Sequence, residues 1–271
     1  MITNKKQIAI LMATYNGAQY IGEQIDSIIG QTNKDWELYI RDDGSSDNTL
    51  EIVKQFCNQY SNIHLTADPQ LHRGSRDSFM WLLENIDSDL YMFCDQDDVW
   101  LPEKIEESIK MIPKDNKPFV ICTNLRVVDS NLNTLNDSFW EIKQIGIDDF
   151  NDFKLRWTQN NVAGCTMLFD AKTKKICFPY PKSASMHDAW ISLSTLANGG
   201  RIIPIQKQLM LYRQHEKNVV GAKDKGVLHY FTETNAVIGR MFSQYKTIKF
   251  LYPVSFLTFI FFKVIKRVQN P

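Results

Sequence analysis

The sequence predicts a mixed, mostly parallel α/β sheet flanked by helices, and three observations carry that prediction. Runs that are apolar at nearly every position recur along the first half of the chain, as strands buried on both faces require. Between them lie segments whose apolar residues repeat at helical spacing. The runs end in polar turns rich in Gly, Asn and Asp.

The first run, "QIAILMATYNG", reads as a buried strand leaving into a loop. In "YIGEQIDSIIG", Ile21, Ile25, Ile28 and Ile29 share a helical face, with Gly30 at the C-cap. "WELYIRDDGSSDN" repeats the plan: Leu38 and Ile40 in a strand, a Gly turn, and a helix from near Asn48 with Leu50, Val53 and Phe56 inward. A third strand runs from Ile63 to Thr66, and "SFMWLLENI" puts Phe79, Leu82, Leu83 and Ile86 on one helical face. "DLYMFC" is the fourth strand, and the Trp-Leu-Pro at 100–102 opens the next helix.

Beyond Pro118, "FVICTNLRVVD", "NVAGCTMLFD" and "RIIPIQKQLMLYRQH" read as longer strands, and "DAWISLSTLANGG" as a helix ending at Gly199 and Gly200. These are expected to complete the same sheet, giving one domain over 1–221 with halves at 1–117 and 118–221. Residues 222–271 form a basic, apolar helical tail, with eight basic and two acidic side chains in a protein whose net charge is zero. Its run "FLYPVSFLTFIFF" is shorter than the roughly 20 apolar residues of a membrane span and holds Pro253. Lys246 and Lys249 before it, and Lys263, Lys266 and Arg267 after it, suit an interfacial helix on a membrane surface; a core helix or an oligomer contact is the alternative.

The balanced charge gives no field for a nucleic acid backbone. Five scattered cysteines without a C-x-x-C pair point to a reducing compartment. The apolar stretch after Lys5 and Lys6 is too short for a signal peptide, so the expected location is cytoplasmic.

"TYNG", "DDGSSD" and "DQDD" each follow a parallel strand and so project from the carboxyl edge, where such sheets bind ligands. Three aspartates at 95, 97 and 98 repel one another. A divalent cation with oxygen ligands, Mg²⁺ or Mn²⁺, would relieve them and hold a diphosphate; a solvated helix N-terminus is the plainer reading. Asp42 and Asp43 beside a Gly turn could accept from a nucleobase or ribose, or merely shape the turn.

"ATYNG", "RDDGSSDNT", "DQDDVWLPEKI" and "MHDAW", in this order and spacing, resemble family 2 inverting glycosyltransferases of the GT-A fold, over about Ile8 to Gly221. The likeness is greatest to bacterial surface-polysaccharide enzymes of the rhamnosyltransferase type. The resemblance implies a metal-dependent inverting transferase that moves a sugar, rhamnose from dTDP-rhamnose being one candidate, from a UDP- or dTDP-sugar. The acceptor would be a lipid-linked or growing glycan for capsule or O-antigen, made at the cytoplasmic face of the plasma membrane.

By the same resemblance Thr14, Asn16 and Asp43 touch the nucleotide, with Arg76 near the donor. Asp95, Asp97 and Asp98 form the DxD motif for metal and diphosphate. Asp188 is the catalytic base, or else a helix cap; Gly164 and Cys165 floor the sugar site; His215 lies near the diphosphate. His187 stands where relatives have an acid. A sugar nucleotidylyltransferase would want a Gly-rich basic loop after the first strand, which is absent, and a non-catalytic nucleotide-sugar-binding scaffold would not need these acids intact.

Overall fold

A computed structural model of the protein describes residues 6–215 and 234–269. Its strands are β1 Ile8–Thr14, β2 Trp36–Asp42, β3 Ile63–Leu65, β4 Leu90–Cys94, β5 Val99–Trp100, β6 Phe119–Val128, β7 Thr134–Asn136, β8 Met167–Asp170 and β9 Arg201–Arg213. They join one sheet in the order β3-β2-β1-β4-β8-β6-β9-β5, with β7 beside β6. The pairs among β3, β2, β1 and β4 are parallel, as is β6 with β9; β8 runs antiparallel to both its neighbours.

Helices α1 Ile21–Ile29, α2 Thr49–Gln59, α3 Ser75–Asn85, α4 Lys104–Lys110, α5 Phe139–Ile142, α6 Ala171–Ile176 and α7 His187–Ala197 cover the sheet. Alternate residues of β1 explain why it needs cover on both faces. Ile8, Ile10 and Met12 pack with Ile21 and Ile25 of α1 and Val53 of α2, whereas Ala9 and Leu11 pack with Phe79 and Leu83 of α3 and Trp190 of α7.

The chain passes outward from β1 to β3, then returns to lay β4 on the other side of β1. The connections after β1 and β4 therefore diverge, which opens a crevice at the carboxyl ends of these two strands. Every functional loop named from the sequence belongs to this edge or borders it.

Three elements differ from expectation. Residues 161–170 are not one strand, because the Thr166 N–H and Oγ1 both return to the Ala163 carbonyl at 3.0 and 2.7 Å. That closes a 3-10 turn at Gly164–Thr166 and leaves only four residues for β8. The helix after DQDD starts later than Trp100, since Val99 and Trp100 first pair with Leu211 and Met210 of β9. Gly30 is a C-cap, but at φ −72°, open to any residue; Gly199, at φ 72°, is where the left-handed region is used.

The tail forms two helices, Thr234–Leu251 and Phe256–Gln269, bent by 114° at the break holding Pro253, which has no N–H and clashes with the preceding turn. Among the described residues no single helix is long and apolar enough to cross a membrane. One tail face is core: Ile248 and Phe259 are buried against Trp157 and Leu193. The other exposes Phe250, Leu257, Phe261 and Val264. The 221/222 boundary and the side chains of Lys266 and Arg267 lie outside the described residues.

Candidate active site

The loops after β1, β2 and β4 are tied into one unit. Gln96 of DQDD accepts from Thr14 Oγ1 at 2.5 Å and the Tyr15 N–H at 2.9 Å, and its Nε2 donates to the Tyr15 carbonyl at 3.1 Å. Asn16 continues the join: its N–H donates to Ser45 Oγ and its Oδ1 accepts from the Ser46 N–H, both at 2.8 Å. Asn16 sits at φ 48°, a region Asn tolerates better than most residues. Asp42 shapes the Gly turn by accepting the N–H groups of Gly44 and Ser45, which is the Asx-turn reading.

Asp43 holds the next loop inward. It accepts from Arg41 Nη1, the Arg73 N–H and the Gly74 N–H, each at 2.8 Å. Burial alone would raise its pKa, but these bonds outweigh burial and hold the carboxyl below its ordinary range. Arg76 goes elsewhere: its guanidinium bonds Asp77 and the carbonyls of Lys182 and Ala184, bracing the loop before α7.

The DQDD run divides. Asp97 is partly exposed, and its Oδ2 is 2.8 Å from His215 Nε2. Asp98 is sealed: Oδ1 accepts the Arg213 N–H at 3.1 Å, and Oδ2 has no hydrogen-bond partner among the described residues. Asp95, Asp98 and Cys165 bring one ligand-type atom each within 4.8 Å of one another. Burial first, then the charge of Asp97, raises the pKa of both Asp95 and Asp98. Crowded carboxylate oxygens with an orphan among them fit a hard divalent cation. The Cys165 thiol does not, because burial and the two acids keep it protonated.

Beneath the run lies Lys104, fully buried, with Nζ donating to the Cys165 carbonyl at 2.5 Å and standing 3.8 Å from the centre of the Trp100 ring. Burial pulls its pKa down to about 8, against the fields of the neighbouring thiols and acids. Arg213 locks the same run from β9: Nε donates to the Asp97 carbonyl at 2.8 Å, Nη2 pairs with Glu23, and the guanidinium lies 4.5 Å over Tyr20.

Asp188 falls in the first turn of α7, while the N-cap is Met186. Its Oδ1 accepts the Ala189 N–H at 2.6 Å and its Oδ2 the Gly164 N–H at 3.1 Å. Burial pushes its carboxyl up to about 6, with Ala189, Asn160 and Gly164 opposing by hydrogen bonds. The turn that ends at Thr166 thus meets the acids on both sides: the Gly164 N–H bonds Asp188, and Cys165 Sγ lies within 4.8 Å of the Asp95 and Asp98 carboxylates.

His187 is a neutral wedge. It packs on Phe79 and Phe93 with ring centroids at 4.3 and 4.8 Å, neither ring nitrogen has a hydrogen-bond partner among the described residues, and burial pulls its pKa to about 3. A Cβ on Gly164 would stand 2.5 Å from His187 Nε2. Gly164→Ala is therefore expected to lose about 1–3 kcal/mol in urea denaturation, and most of that loss should vanish when His187 is also Ala. An equal cost in both backgrounds would contradict the contact.

The structure thus gathers Thr14, Asn16, Asp95, Asp97, Asp98, Gly164, Asp188 and His215 around one crevice, sets Asp43 against the Arg73 and Gly74 loop, and engages Arg76 in a loop brace. Gln96, Lys104, Asn160 and Arg213 were not singled out from the sequence. Lys104 carries a readable signal, a lone cation at a helix start just after three acids. The others depend on contacts far apart in the chain.

The model of the family described as Glycosyl transferase family 2 matches residues 9–176. The chain is 32% identical over 224 residues to the dTDP-rhamnosyl transferase RfbG of Shigella flexneri, covering 78% of this chain and 74% of that relative. It is 32% identical over 124 residues to WfgD of Escherichia coli, a UDP-Glc:alpha-D-GlcNAc-diphosphoundecaprenol beta-1,3-glucosyltransferase, covering 46% of this chain and 47% of that one. Among solved structures, S. aureus TarS 1-349 with UDP-GlcNAc gives a TM-score of 0.60 at 18% identity, over 78% of this chain and 60% of that one. The mannosyltransferase PcManGT of Pyrobaculum calidifontis with GDP-Man and Mn²⁺ gives 0.62 at 12% identity, over 98% and 81%. The fold is GT-A, as the motifs imply.

Proposed function

Because the chain belongs to glycosyl transferase family 2 and is a glycosyltransferase, we propose that its β1/β4 crevice transfers a sugar from a nucleoside diphosphate to an acceptor hydroxyl with inversion. The observation that carries this reading is the Gly164–Thr166 turn, whose Gly164 N–H bonds Asp188 while its Cys165 Sγ lies within 4.8 Å of the Asp95 and Asp98 carboxylates. A proton acceptor and a diphosphate-holding acid then flank one reacting centre. This reading leaves no place for nucleotidyl transfer or a non-catalytic scaffold.

Thr14, Asn16 and the Asp43 wall receive the nucleotide. Asp95, Asp97 and Asp98 would hold Mg²⁺ or Mn²⁺, which supplies positive charge to the departing diphosphate. His215, bonded to Asp97, adds a donor on that side. Asp188 takes the acceptor proton as its oxygen attacks the anomeric carbon opposite the leaving group. Lys104 offsets acid charge from below and keeps the run compact when no sugar nucleotide is bound.

A base must be deprotonated to accept, and the Asp188 pKa stands near 6. Turnover is therefore expected to be level above that pH and to fall about tenfold per unit below it. In an Asp188→Glu protein that retains activity, the midpoint should move; an unchanged midpoint would assign the limb to another group.

The relatives' names support the finer terms. RfbG favours dTDP-rhamnose as donor, and WfgD favours a diphosphate-lipid acceptor, as surface polysaccharides such as O-antigen or capsule use. The exposed Phe250, Leu257, Phe261 and Val264 suit contact with the cytoplasmic face of the plasma membrane. The test is release of nucleoside diphosphate from a panel of sugar nucleotides with bacterial lipid extract as acceptor. Release that needs both extract and one donor supports the reading; a folded protein that releases none from any donor contradicts it.

A further inference from the structure

We propose that Tyr20 is a positioning residue for the transfer: its ring gathers the Arg213 guanidinium and the His215 imidazole, and so orients the imidazole that meets Asp97. The proposal rests on reading Asp97 and His215 as the diphosphate side of the crevice.

Tyr20 stands where two loops meet. Its N–H and that of Ile21 both donate to the Gly17 carbonyl at 3.0 Å, and Gly17 donates its own N–H to Thr49 Oγ1 at 2.8 Å. The Tyr20 backbone is thereby fixed to the turn that follows Asn16. Its side chain is not spent on the helix it opens, for it makes no capping hydrogen bond to α1. The half-buried ring instead crosses to the end of β9, where the Arg213 guanidinium lies 4.5 Å from its centre and the His215 ring 5.0 Å, tilted by 35°.

The two neighbours play different parts. Arg213, 2% exposed, is anchored on three sides: Nε donates to the Asp97 carbonyl, Nη1 to the Ser130 carbonyl at 2.7 Å, and Nη2 pairs with Glu23. A cation so held attracts the face of the Tyr20 ring and gives it a fixed seat. His215 lies past the last ladder pair of β9, Arg213 with Val128, so the sheet no longer sets the direction of its side chain. The bond between Nε2 and Asp97 Oδ2 fixes one atom of the imidazole, and the Tyr20 ring packed against it sets the plane. The imidazole is thus aimed before any sugar nucleotide arrives, and the loop after β1 is joined to the group that faces the diphosphate. Both contacts are made by the ring and neither by the hydroxyl, so Phe should serve as well as Tyr.

The full chain, isotope-labelled at histidine and kept in EDTA, gives the direct test by NMR. The chain has five histidines, and the His215 signal is the one lost in His215→Gln. In wild type its ring protons are expected to show a nuclear Overhauser contact with the Tyr20 ring. They should move clearly in Tyr20→Leu and little in Tyr20→Phe. Absence of the contact in wild type overturns the proposal, whether or not a variant folds. Donor titration with Mn²⁺ reads the consequence: Tyr20→Leu should bind roughly tenfold more weakly than wild type, and Tyr20→Phe within about twofold of it. A Leu variant that binds as wild type does, or a Phe variant as weak as Leu, overturns the positioning role. A wild-type chain that binds no donor strikes the donor reading alone, and the His215 resonance still decides the stack.

Discussion

An Asp188→Asn protein is expected to bind its sugar nucleotide as wild type does and to turn over roughly 10²- to 10⁴-fold more slowly, the usual worth of a positioned general base. Asn keeps the shape and one acceptor oxygen for the Ala189 or Gly164 N–H, so the local turn is disturbed little. The substitution also separates two roles. Asn supports a helix start about as well as Asp, so a merely capping Asp188 would leave turnover near normal. Steady-state rates beside a donor titration of the same sample decide between them.

Asp97→Asn is expected to have the opposite profile. Metal-dependent donor affinity should fall about 10- to 100-fold, and in EDTA the variant and wild type should bind equally weakly. The side chain can still bond His215, so the loop should keep its form. Removing one charge also relieves Asp95 and Asp98, whose pKa values are raised first by burial and then by Asp97. Metal-free Asp97→Asn should therefore unfold no earlier than wild type. Thermal melts in EDTA check this, and a clear loss of stability would mean that Asp97 holds the fold rather than a ligand.

The parallel half of the fold is legible because its strands are apolar throughout and end in polar turns; β1, β2 and β4 and their loops fall where the pattern puts them. Asp95, Asp97 and Asp188 are legible as motif residues. What knits them is not. Gln96 pins the β1 loop across 82 residues of chain, a contact that exists only once β4 lies beside β1. The turn at Gly164 breaks a run that reads as strand, since Thr166 satisfies its own neighbour's carbonyl in place of a ladder. Arg156 looks like any surface cation in a polar segment, yet in the fold it is buried, with its guanidinium near the Phe150 ring and bonded to the Asp149 carbonyl. Pro253 announces the break in the tail, but the division into a packed face and an exposed face depends on Trp157 and Leu193 being there to receive Ile248 and Phe259.

The account turns on one crevice holding a sugar nucleotide through a cation. Calorimetric titration of the purified chain with UDP-, dTDP- and GDP-sugars, each with Mn²⁺ and with EDTA, tests it most directly. The account predicts that one donor, with a dTDP-sugar favoured by the likeness to RfbG, binds with Mn²⁺ and at least about tenfold more weakly in EDTA. Equal affinity with and without the metal would contradict the role given to Asp95, Asp97 and Asp98.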